Sequence, residues 1–122
     1  MLPFTLFVVL ALPSNAPPRA AAVDETVVKR LVEALGDSDF DVRQNLAAAL
    51  AKIGPSTVPT LSEALKDKIP ERRAGAAYAL GQIGSGARAA LPALLDLLAD
   101  SEVAVRRQAS YAIGRIVPGG SR

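Results

Sequence analysis

A repeat constrains this chain more than any other feature of its sequence. The stretch Asp37 to Gly54, DSDFDVRQNLAAALAKIG, is written again as DKIPERRAGAAYALGQIG from Asp67 to Gly84 and as DSEVAVRRQASYAIGRIV from Asp100 to Val117. Asp37, Asp67 and Asp100 keep offsets of 30 and 33 residues, as do Arg43, Arg73 and Arg106, and Ile53, Ile83 and Ile116. A period of this length marks stacked supersecondary units, each too small to bury its own apolar face. The fold must therefore be sought in how one copy covers the next.

Helical periodicity runs through every copy. Val27, Val28, Leu31, Val32 and Leu35 share one face, with Lys29, Arg30 and Glu33 opposite. Asp24 and Glu25 stand at the start, where the helix dipole favours acids. Gly36-Asp37-Ser38-Asp39 breaks this helix. A second begins near Asp41, with an apolar stripe of Val42, Leu46, Ala49, Leu50 and Ile53, and Gly54-Pro55 ends it. The next copy has Pro59, Leu61 and Leu65 in a short first helix, Pro70 in the first turn of its second, and a stripe of Ala76, Ala79, Leu80 and Ile83. The last has Leu91, Leu94, Leu95 and Leu98, then Val105, Ala109, Ala112, Ile113 and Ile116. Gly84-Ser85-Gly86-Ala87-Arg88 reads as a loop three residues longer than its counterpart, which accounts for the change from 30 to 33.

No stretch alternates as a strand does. The expectation is an all-α chain, an α-solenoid of three antiparallel helix pairs, with units near 23–54, 55–84 and 85–117 and a tail over 118–122. Composition agrees. Half of the residues are hydrophobic, yet many are Ala and the aromatics are few, which suits close-packed helices better than one thick core.

Residues 1–22 read differently. Met1 to Leu12 is an apolar run too short for a bilayer, which takes ~20 residues, and of the length of the apolar region of a secretory signal. Small residues follow at Ser14-Asn15-Ala16 and Ala20-Ala21-Ala22, and cleavage is expected after Ala22 because Pro17 directly follows Ala16. No Lys or Arg precedes the run, an exception to the usual pattern. Pro13 to Ala22 reads as a linker. The expectation is an exported chain, periplasmic or extracellular, with no stable membrane span once the leader is removed; without that signal the chain is cytoplasmic.

The pattern Asp-x-x-x-x-x-Arg, then alanines, then Leu-Gly-x-Ile-Gly resembles HEAT-like repeats. The matching residues are Asp37, Arg43, Ile53 and Gly54; Asp67, Arg73, Leu80, Gly81, Ile83 and Gly84; and Asp100, Val105, Arg106, Ile113, Gly114 and Ile116. The short repeat is most similar to the subgroup first described in phycobiliprotein lyases. The middle unit departs from it, with Arg72 where the others have Val42 and Val105, and Lys68-Ile69 in place of Ser38-Asp39. The resemblance implies an α-α superhelix and leaves function open.

Several function classes are disfavoured. Cys and His are absent, which removes thiol chemistry and the commonest general base and metal ligand. A net charge of +2 is no nucleic-acid footprint. Asp37, Asp39 and Asp41 lack the Gly and distal Glu of a calcium loop, and Gly84-Ser85-Gly86 lacks the Lys of a phosphate loop. No catalytic residue, cofactor or metal is expected. The recurring Asp37/Arg43, Asp67/Arg73 and Asp100/Arg106 form a structural ladder, pairing within a unit or with the neighbouring one, since Arg offers a planar bidentate fork.

Positions that vary between units are better binding candidates. Asn45 and Lys52 in the first unit, Tyr78 and Gln82 in the second, and Gln108, Tyr111 and Arg115 in the third occupy one register, with Ala48 and Gly75 between them. By the resemblance, these second helices line a concave surface. Two roles for the tyrosines stay open: an exposed binding strip, or rings packed between helices. The expected function is a non-catalytic scaffold for an unidentified protein or peptide. The alternatives are a phycobilin lyase-like chromophore chaperone, a DNA-repair glycosylase disfavoured by the weak charge and missing Trp, or a fragment of a longer array. The last helix also ends without a polar cap, its outer face expected to carry Val105, Ala109 and Ile113 or Ile116, which raises self-association through the C-terminal repeat.

Overall fold

The computed structural model describes residues 24–118, so the apolar run, both cleavage candidates, the linker and most of the tail lie outside the described residues. Among the described residues there is no strand. Six α-helices follow in order: α1 (Glu25–Glu33), α2 (Phe40–Ile53), α3 (Val58–Ala64), α4 (Pro70–Ile83), α5 (Leu91–Asp96) and α6 (Val103–Ile116). They form three helix pairs, as the repeat demands.

Local chemistry sets the helix ends. Asp24 caps α1 by accepting from the Val27 N–H at 3.1 Å. Asp39 caps α2 by accepting from the Val42 N–H at 3.0 Å, so α2 begins at Phe40, one residue before the expected Asp41. Gly54 and Gly84 stop α2 and α4 at φ of 98° and 76°, a region that glycine enters without a Cβ clash. The expected loop at Gly84–Arg88 is wound into 3₁₀ turns over Gly84–Ala90, kinked at Ala87, that run into α5. It buries Ala87 and Ala90, and backbone passing under a core must bond to itself. Thr57, fully buried, is satisfied by donating its hydroxyl to the Gly54 carbonyl at 2.8 Å.

The helix pairs stack so that α4 lies between α2 and α6, with α3 also packed on it. That central position explains why α4 buries Gly75, Ala76, Ala77, Ala79, Leu80 and Gly81, a wider set than the expected stripe, while Ile83 is only half-buried. A helix with neighbours on several sides has no single apolar face to show in its sequence.

Other stripe assignments need correction for the opposite reason. Val27, Val42, Leu95 and Leu98 are exposed, whereas Val28, Val32, Leu35, Ala47, Leu50, Leu94 and Leu97 form the core. Val105, Ala109 and Ile116 of α6 are fully buried and Ile113 is half-buried, so they are not the outer face of the last helix. The exposed apolar residues of that end are Leu95, Leu98, Val103 and Val117.

Candidate functional site

Three turns, before α2, α4 and α6, are built alike. Each Asp accepts from the N–H two residues on: Asp37 from Asp39 at 2.7 Å, Asp67 from Ile69 at 2.9 Å, Asp100 from Glu102 at 2.9 Å. Each Arg donates Nη1 to the main-chain carbonyl of its own Asp: Arg43 to Asp37 at 2.7 Å, Arg73 to Asp67 at 2.8 Å, Arg106 to Asp100 at 2.7 Å. Within a unit, then, the Arg meets the Asp backbone and the carboxylate is left for another donor.

That donor comes from the preceding unit. Arg73 gives Nε and Nη2 to the two carboxylate oxygens of Asp100, at 2.8 and 2.9 Å. The Arg73 hydrogen bond holds the Asp100 carboxyl below its ordinary pKa against an opposing effect of burial. The same bond raises Arg73, again against burial. At the first junction the corresponding rung is replaced. Arg72 donates Nε to the Glu33 carbonyl at 2.8 Å and pairs with Asp67 at 3.3 Å. Its stem lies over Gly36, where a Cβ would stand 3.1 Å from the Arg72 Cγ. The departure of the middle unit from the repeat pattern is thus a different clasp on the same neighbour.

The tyrosines join the second and third units. Their rings stack with centroids 5.5 Å apart and planes at 19°. Gln82 Nε2 donates to the Tyr111 hydroxyl at 2.7 Å, and the Tyr111 ring covers Gly81, whose missing Cβ would lie 2.8 Å from the Tyr111 Cε2. Tyr78 packs partly against the core. Of the two roles open from sequence, packing between helices describes both rings well, and part of each stays accessible.

A groove crosses α2, α4 and α6 beside them. One part, about 600 Å³, is lined by Ser38, Arg43, Pro70, Glu71, Ala74, Glu102 and Ala104. A second part, about 220 Å³, shares Arg43, Ala74 and Ala104 and adds Phe40, Gln44, Gly75, Tyr78 and Gln108. Phe40 is 62% exposed and lies under the Arg43 guanidinium, 5.9 Å from its carbon to the ring centroid. Small residues of α4 and α6 leave the space, and Phe40 and Tyr78 give it an apolar wall.

The expected strip is only partly this groove. Tyr78 and Gln108 line it, and Gln82 and Tyr111 brace the adjoining ring stack. Gly75 also lines it while packing against Leu35, whereas Asn45, Lys52 and Arg115 are exposed but stand outside the lining. Sequence reading missed Phe40, Arg43, Gln44, Ala74 and Ala104. The signal was the i, i+4 spacing of Gln44 with Ala48 and Ala74 with Tyr78, one helical row from the one chosen. Among the described residues no three His, Cys, Asp or Glu side chains are gathered to hold a metal.

Stacked helix pairs, clasped by an arginine at each junction and open along one groove, define an α-solenoid. The chain belongs to the HEAT-repeat family, whose model for HEAT repeats matches residues 28–114. That match is to HEAT repeats as such and carries nothing specific to the lyase subgroup. A comparison with curated proteins gives no match. Among the described residues no helix is long and apolar enough to cross a membrane.

Proposed function

We propose that this HEAT-repeat chain is a non-catalytic module that captures a protein segment in the groove across α2, α4 and α6. The groove, whose two parts adjoin through Arg43, Ala74 and Ala104, with Phe40 and Tyr78 lining one part and Glu71 and Glu102 the other, carries this reading. HEAT repeats commonly serve as protein-interaction scaffolds, and an aromatic wall beside carboxylates suits a segment with an apolar anchor next to a basic group.

Selection from a displayed library of random peptides, with the Phe40→Ala chain as counter-target, tests the proposal. Enriched peptides are expected to carry an apolar residue beside Lys or Arg and to lose binding to the variant. No enrichment, or equal binding to both chains, overturns it.

The proposal extends to export, on the strength of Met1–Leu12 and Ala20-Ala21-Ala22. N-terminal sequencing of the protein recovered from a secreting host is expected to start at Val23; an intact Met1 on cytoplasmic protein overturns that part.

A further inference from the structure

Both ends of the described array are finished as junctions between units. At the second junction, Val105 is 0% exposed, and just past the first helices of the first two units Leu35 and Leu65 are 0% and 1% exposed. Their counterparts in register at the two ends, Val42 and Leu98, are 39% and 43% exposed. Leu35 earns its burial from the following unit, lying against Gly75 of α4. Leu98 repeats that residue where, among the described residues, no further unit follows.

The polar groups follow suit. Arg106 is held by its turn in the manner of Arg73, with Nη1 on a carbonyl at 2.7 Å. The Nε and Nη2 that Arg73 gives to Asp100 have no acceptor on Arg106 among the described residues. Asp37 is held as Asp100 is, with Oδ1 on the N–H two residues on, and no described guanidinium donates to its carboxylate. Gly114 stands where Gly81 admits the Tyr111 ring, and a Cβ built on it meets nothing within 4 Å. One end therefore presents a fork, a leucine and a glycine, and the other a carboxylate and a valine.

We propose that a second copy of this chain occupies that end, head to tail, with Asp37 and Val42 of one copy meeting Arg106 and Leu98 of the next. The contact repeats the Arg73–Asp100 rung between molecules. It is heterologous, so each added copy leaves one free end of each kind, and growth does not stop at a dimer. The groove is not used, so this association and the peptide-binding reading stand or fall separately.

Sedimentation velocity of the full chain from about 1 µM to about 1 mM tests it. The mean mass is expected to climb through and beyond the dimer as concentration rises. Arg106→Glu, and separately Val42→Glu, are expected to raise the concentration needed by about tenfold or more. Val42→Glu leaves the Asp and Arg side chains of both turns in place, and circular dichroism and thermal melting of each variant check that the helices persist. An equal mixture of Arg106→Glu with Asp37→Lys is expected to associate where each alone stays monomeric, because native Asp37 of the first meets native Arg106 of the second. A wild-type monomer throughout, a closed dimer, or association that all three variants share with the wild type overturns the proposal.

Discussion

Arg73 and Asp100 belong to different repeat units and meet through two charge-assisted hydrogen bonds of 2.8 and 2.9 Å, with both side chains largely buried. The same Arg73 holds the turn of its own unit through the Asp67 carbonyl. One side chain thus fixes a turn and the angle at which the next unit docks. Replacing it with Glu leaves Asp100 without its partner and adds a like charge, at a cost of about 3 kcal/mol. For an array of this size that is a fall of roughly 10 °C or more in Tm, read by thermal denaturation. Unchanged melting would show that the rung does not contribute to stability.

The same pair sets an acid limit. Asp100 has a folded pKa below its ordinary value, with the Arg73 bond as the largest cause. A depressed carboxyl contributes stability that is whole above the unfolded value of ~3.9 and is lost as pH falls through the lower, folded one. Arg73→Gln removes most of that contribution, so denaturation midpoints of wild type and variant are expected to converge as pH drops below about 4. A gap that persists at low pH would mean that the pair's charge is not what is lost.

Two glycines in the same register are expected to respond with opposite sign. A Cβ at Gly81 would meet the Tyr111 ring at 2.8 Å and the Ala112 Cα at 3.0 Å, and since the second is backbone, α6 must move. Gly81→Ala is expected to cost about 1–3 kcal/mol. Gly114→Ala meets nothing and is expected to stabilise by up to about 1 kcal/mol through helix propensity. Urea titrations at low protein concentration compare the two directly.

Arg72→Val would restore the repeat pattern at the expense of the first junction. It removes the bond to the Glu33 carbonyl, which is then left at the end of α1 without that donor. The expected loss is about 1 kcal/mol, with faster amide hydrogen exchange in α1 than in α5. Equal exchange in both helices would place the coupling of the first unit elsewhere.

The stacked tyrosines pack between helices while part of each ring stays accessible. Tyr78→Ala with Tyr111→Ala is expected to lower stability by about 3 kcal/mol or more, because one ring packs on the core and the other covers Gly81. Phe40→Ala, exposed in the groove, is expected to stay within about 0.5 kcal/mol of wild type. Matching thermal melts of the two variants would return the tyrosines to a purely exposed strip.

The repeat, the helix pairs, the Asp and Arg register and the glycine stops could all be read from the chain alone. Each depends on residues a few positions apart: the 3.6-residue period, an Asp accepting from the amide two or three residues on, a glycine at positive φ. The tertiary structure alone decided what each face meets. Arg73 reaches across 27 residues to Asp100 and Arg72 across 39 to Glu33, and the groove joins Phe40, Tyr78 and Gln108 from three helices. Nothing in local spacing distinguishes Leu35, buried against Gly75 of the following unit, from Leu98 at the last described unit. Burial of a repeated residue is a property of its neighbour, and in a stack the neighbour is set by docking angle rather than by the residue's own helix.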